Sequence, residues 1–174
     1  NFDFDSRVLR MKESRQKELL DEIDEVLNTG RLSGGHAGKL KGKLQIALNG
    51  ETIKEIDNLV VTAGKNFVAS RMKDASATAM THMAVGTGST AAAAGDTALG
   101  SQVGSRVSLT STTVTSNEVA YVATFAAGTG TGALTEAGLF NASSSGTMLC
   151  RTVFSVVNKG AADSMTITWT VTVS

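Results

Sequence analysis

The last eleven residues of the chain alternate without a break. Met165, Ile167, Trp169, Val171 and Val173 fall on one side, and Ser164, Thr166, Thr168, Thr170, Thr172 and Ser174 on the other. A strict period of two is the signature of a β-strand with one apolar and one hydroxyl-lined face, because successive side chains leave opposite faces of the pleat. The same period recurs upstream. Met83 and Val85 alternate with His82 and Ala84, and Val119, Tyr121, Ala123 and Phe125 alternate with smaller or more polar residues. Between these runs lie glycine-bearing turns at Gly86-Thr87-Gly88, Gly128 to Gly132, Ser143 to Gly146 and Gly160. With eighteen glycines and no proline, the turns rely on glycine's access to positive φ. Short strands at this spacing predict a mainly β fold, an antiparallel sandwich or barrel-like domain.

Charge divides the chain. Residues 1–58 carry ten Lys/Arg and eleven Asp/Glu, against six and five in the rest. The charged part opens with a helix signal over Arg7–Leu27. Ser6 is its candidate cap, Leu19, Leu20, Ile23, Val26 and Leu27 recur on one face, and Gly30 stands where such helices end. Ser33 is a candidate cap for a weaker second helix through Ala37, Leu40 and Leu44. The expected division is therefore a helical segment over 1–43 and a β-rich domain over 44–174. At the start of that domain Asn49-Gly50 separates two short extended runs, the strongest local signal for a hairpin. Thr62 marks the start of a short helix through Phe67, Val68 and Met72.

Composition excludes several roles. Lys+Arg and Asp+Glu balance at 16 each, so the basic excess that drives phosphate binding is missing and nucleic acid is not an expected partner. No apolar run approaches the roughly 20 residues of a membrane-crossing helix, and the first residues lack a signal-peptide pattern. A single cysteine, Cys150, rules out an intrachain disulfide.

Candidate chemistry is thin. Gly86-Thr87-Gly88-Ser89-Thr90 looks like a phosphate cradle, but no Gly-Lys-Ser/Thr follows it, and a turn is the simpler reading. His36 and His82 are the only histidines, too few for a zinc site without unpatterned help. No Gly-x-Ser-x-Gly elbow is present. Cys150 shares a face with Thr152, Phe154 and Val156, which suits a small buried residue. Residues 59–174 have five carboxylates, Asp74, Asp96, Glu118, Glu136 and Asp163, and no spacing pairs two of them as a glycosidase needs. Glu136 stands out within the apolar stretch Ala133–Phe140, and a buried ion pair with Arg151 or Arg106 is expected for it. No catalytic residue, cofactor or metal is assigned.

Several short motifs in order resemble the start of bacteriophage tail-collar fibre proteins. They are Thr81-His82-Met83-Ala84-Val85-Gly86-Thr87-Gly88-Ser89-Thr90, then Asp96-Thr97-Ala98-Leu99-Gly100, then Thr135-Glu136-Ala137-Gly138-Leu139-Phe140-Asn141, and Gly146-Thr147-Met148-Leu149-Cys150-Arg151 with the closing strand. The resemblance covers about residues 60–174. It implies a non-enzymatic part of a virion, in a tail, collar or baseplate fibre, built as a homotrimer or another ring and touching other virion proteins. Capsid decoration and host-surface receptor binding are the alternatives, while a polysaccharide-degrading enzyme lacks its carboxylate pair. The expected interface residues are Leu20, Ile23 and Leu27 on the helix stripe, and Thr166, Thr168, Thr170 and Thr172 on the last strand.

Overall fold

The computed structural model describes residues 39–73 and 78–174, and residues 39–174 form one compact unit. The helix expected over Arg7–Leu27, with Leu20, Ile23 and Leu27, lies outside the described residues, as do His36 and Asp74.

In chain order the elements are β1 (Leu40–Leu48), β2 (Glu51–Val60), α1 (Thr62–Lys73), β3 (His82–Gly86), β4 (Val107–Ser108), β5 (Ser111–Thr115), β6 (Glu118–Phe125), β7 (Gly132–Phe140), β8 (Met148–Lys159) and β9 (Met165–Val173). The fold is mainly β, as its periodicity predicts. The strands form one curled antiparallel sheet, a half-barrel, in the order β4-β3-β7-β8-β2-β1-β9-β6-β5.

The hairpin between β1 and β2 turns at Asn49-Gly50, where φ is 50° and 88°. Both residue types tolerate that left-handed region, and the resulting turn matches the twist of the strands. β1 begins earlier than expected. Leu40 and Leu44, assigned above to a helix, are strand residues opposite Val173 and Trp169. Leu40, Leu44 and Ile46 alternate with Lys41, Lys43 and Gln45, and Gly38 and Gly42 are poor helix residues. The strand therefore takes in Lys41–Lys43, residues placed in the helical segment by sequence.

β2 joins the two wings of the sheet, a first wing of β2-β1-β9-β6-β5 and a second of β4-β3-β7-β8. Its length from Glu51 to Asn58 pairs with β1, whereas Leu59 and Val60 pair with Arg151 and Cys150 of β8. At the far side β4 and β5, the two ends of the strand order, are separated by only Leu109-Thr110. Leu109 N–H donates to the Thr81 carbonyl of one wing and Thr110 N–H to the Val122 carbonyl of the other, at 2.9 and 2.7 Å.

The main core fills the curl. Trp169, Ile167 and Met165 from β9 meet Leu44 and Ile46 from β1, Phe125 from β6 and Leu139 from β7, all essentially without exposure. The expectation that residues 164–174 carry Trp169 inward holds: β9 spans Met165–Val173 and Trp169 is fully buried. In β8 the alternation breaks. Leu134 pairs with Val157 but Glu136 with Val153, so a bulge adds residues to β8. Val156, expected beside Cys150 and Phe154, is consequently 53% exposed while Val157 is buried.

α1 begins as expected, although the first helical turn is closed by Lys65 N–H on the Val61 carbonyl at 3.0 Å, one residue before Thr62. Phe67 and Val68 pack on the main core. Gly64 permits the close approach of helix to sheet, since a Cβ there would run into the carbonyl of Leu149 and lie 2.8 Å from its Cα. Gly64→Ala is therefore expected to push α1 off β8 and lower stability by about 1 to 3 kcal/mol, read from the urea unfolding midpoint.

Candidate functional site

Two places hold the polar and charged side chains that the sequence singles out. The first is a buried ionic network on the second wing. Glu136 is fully buried on β7, and Arg151 on β8 is 3% exposed. The Arg151 guanidinium donates Nε and Nη2 to Glu136 Oε2 at 3.0 and 2.8 Å, Nη1 to Asp96 Oδ2 at 2.8 Å, and Nη2 also to the Thr90 carbonyl at 3.1 Å. The carboxylate accepts three backbone N–H groups as well: Gly88 and Ser101 on Oε1 at 2.9 and 2.6 Å, and Gly100 on Oε2 at 2.9 Å. A buried carboxylate without such partners would be too costly to keep charged.

This geometry explains the glycine motif. Cβ atoms at Gly86 and Gly88 would run into the Ser101 carbonyl and the Glu136 carboxylate respectively. Gly86-Thr87-Gly88 does cradle an anion, but the anion is the chain's own side chain, 48 residues away in sequence from Gly88. The expected ion pair of Glu136 is thus with Arg151. Arg106 does other work: its guanidinium lies 3.5 Å over the Phe140 ring and its Nη1 donates to the carbonyls of Ala142 and Ser145 at 2.9 and 2.7 Å.

Burial by itself raises the Glu136 pKa. The N–H groups of Ser101 and Gly100, the Arg151 guanidinium and the Gly88 N–H outweigh it and hold the carboxyl below its ordinary value. For Asp96 the Ala93 N–H is the largest influence and also lowers the pKa; burial opposes it and Arg151 assists. Cys150 is buried and burial pushes its thiol up to about 12, with Asn58 opposing, so it is protonated at neutral pH. His82 is half-buried and hydrogen-bonded, with Nδ1 2.8 Å from Thr81 Oγ1 and Nε2 3.4 Å from Ser108 Oγ. Another cation, Lys159, is 1% exposed and donates to the carbonyls of Ala126 and Asp163 at 3.0 and 2.7 Å.

The second place is the outer face of the wing β2-β1-β9-β6-β5. Thr166, Thr168, Thr170 and Thr172 form its central row, each half-buried among neighbours. Thr168 lies between Gln45 and Val122, and Thr170 between Lys43 and Ala120. Thr166 Oγ1 is 3.2 Å from Thr124 Oγ1, and Thr172 Oγ1 donates to Glu118 Oε1 at 3.0 Å. Charge flanks one end of the row: Lys41 and Glu118 lie on either side of Thr172 and Lys43 beside Thr170, and Lys43 pairs with the exposed Glu55 of β2, 2.5 Å apart. The uncharged strip of this face is Thr166, Thr168 and Thr170 with Thr124, Val122 and Ala120 beside them on β6, short hydroxyl and alkyl side chains of the kind a protein contact can cover.

Sequence reasoning identified Glu136 and the threonine row. It missed Asp96, Gly100 and Ser101 as ligands of the network; the motif run Asp96–Gly100 was the only sequence signal for the first two, and Ser101 had none. Comparison of the chain with protein-family models, with curated proteins and with solved structures returned no match.

Removing Glu136 leaves Arg151 buried with half of its partners gone. Glu136→Ala is expected to cost about 3 to 5 kcal/mol in chemical denaturation. Because the folded-state pKa of Glu136 is lowered, its contribution is complete above the ordinary carboxyl value of 4.5 and is lost as pH falls through the lower folded value. Stability measured against pH should drop on that acid limb, and Glu136→Gln, though less stable at pH 7, should show a shallower drop.

Proposed function

We propose that this chain is a non-enzymatic bacteriophage virion protein, most consistent with a tail, collar or baseplate fibre component, that works through protein–protein contacts with its own copies and with other virion proteins. The observation that carries the contact role is the uncharged strip at the centre of the first wing, where Thr166, Thr168 and Thr170 lie beside Thr124, Val122 and Ala120 of β6. Free solvent favours charged side chains on an exposed sheet face, whereas the core of an interface is depleted in them.

The virion assignment rests on the resemblance, and the buried network gives it physical sense. Its separate short motifs meet at one point: Gly88 and Thr90 from the first, Asp96 and Gly100 from the second, Glu136 from the third and Arg151 from the fourth all touch. Scattered motifs that converge on one network behave as a single structural unit. A chance set of turns would not be expected to do so.

The reading makes three demands. In solution the full chain should be an oligomer by light scattering, a trimer being the expected state. Glutamates introduced as Thr168→Glu and Thr170→Glu should dissociate it while leaving its β-sheet circular dichroism unchanged, since both positions are at the outer face. The protein should also be found in purified particles, where a small multiple of three or six copies means tail and hundreds mean head decoration. A monomeric full chain absent from particles would defeat the proposal, as would a turnover abolished by His82→Ala, Cys150→Ala or Glu136→Ala with fold and assembly intact.

A further inference from the structure

An antiparallel sheet that does not close exposes backbone at its edges, and natural proteins blunt such edges with charge, bulges, brevity or a covering segment. Among the described residues three of the four edges of the two wings are blunted. β4 is two residues long. The outward edge of β2 beyond its pairing with β8 carries Glu51, Lys54, Glu55 and Asp57. It is bridged to β8 by the Lys54 ammonium on Ser155 Oγ, and by Thr152 Oγ1 on the Asp57 carbonyl at 3.3 Å. The same bridges and the bulge protect β8.

β5 has none of these devices. Ser111, Thr112, Thr113, Val114 and Thr115 are all exposed, Val114 at 69%, and the strand pairs with β6 in unbroken register. It contains no charge, proline or glycine. Its residues favour the extended chain.

We propose that β5 pairs antiparallel with β5 of a second copy of this chain, about a twofold axis at Thr113, so that the two sheets run on as one. The strand suits its own image. In that register Thr113 faces Thr113, Thr112 faces Val114 and Ser111 faces Thr115, so no like charges are brought together and the exposed Val114 gains a neighbour. A partner selected by charge would find nothing on β5 to recognise, which favours self-pairing over capture of a charged foreign strand. Such a contact is isologous and closes on itself. It deepens the self-association reading by assigning one specific contact to it, and two rings built through the threonine face can be joined by it.

The test uses the full chain and two single-cysteine additions, Thr113→Cys at the edge and Thr168→Cys at the centre of the threonine face. The native Cys150 is buried and does not compete. Under mild oxidation Thr113→Cys is expected to convert most of the protein to a covalent dimer on non-reducing gels. Val114→Lys, which places a charge on the edge, is expected to halve the mass of the species held by this contact in light scattering, with the fold intact by circular dichroism. Crosslinking through both cysteines supports the edge contact beside the face contact. Crosslinking through Thr168→Cys alone, or an oligomer whose mass Val114→Lys does not change, overturns the edge pairing and leaves self-association standing. A monomer with neither crosslink overturns both.

Discussion

The pair Glu136–Arg151 is the constraint on which the second wing depends. Both side chains point away from the main core, into a layer that would otherwise be solvent, and are buried there by the loop between β3 and β4. That loop has few apolar residues with which to hold itself down. Its attachment is polar: three N–H groups to a carboxylate, two acceptors to a guanidinium, and the Thr135 hydroxyl to the Gly88 carbonyl at 2.9 Å. Beside it a small second core of Val61, Ala84, Phe140 and Met148, with Ala63 and Leu99 against it, makes both faces of β3 buried. This explains why Ala84 is as buried as Met83 and Val85 despite the alternation.

The two wings are therefore finished differently. One has its outer face covered by the chain itself, by α1 and the β3–β4 loop. The other presents a threonine row flanked by Lys41, Lys43 and Gln45 on one side and by Glu118, Ala120 and Val122 on the other.

Much of the fold was legible because it is local. The period of β9, the Asn49-Gly50 turn and the helix after Thr62 are properties of a few adjacent residues and need no tertiary information. Leu40–Leu44 misled because an apolar residue every fourth position fits a helix and a strand equally over so short a run; pairing with β9 decided it. Val156 and Val157 could not be placed because a bulge depends on the partner strand. The candidate site was half legible. A lone Glu in an apolar stretch signals a buried partner, but a glycine turn that cradles a side chain and one that cradles a phosphate look alike in sequence, since both need bare backbone N–H groups. Only the fold says which anion arrives.

β9 lies in the middle of the strand order, between β1 and β6. The first strand of the described residues thus waits for the last: Leu40 to Leu48 pair with Met165 to Val173. During synthesis β1 and β6 remain unpaired on these sides until β9 has emerged, and no stretch of the first wing can be completed early. Such a topology slows folding through its high contact order. It also acts as a check on length, because a chain interrupted before β9 has neither a closed core nor a continuous sheet.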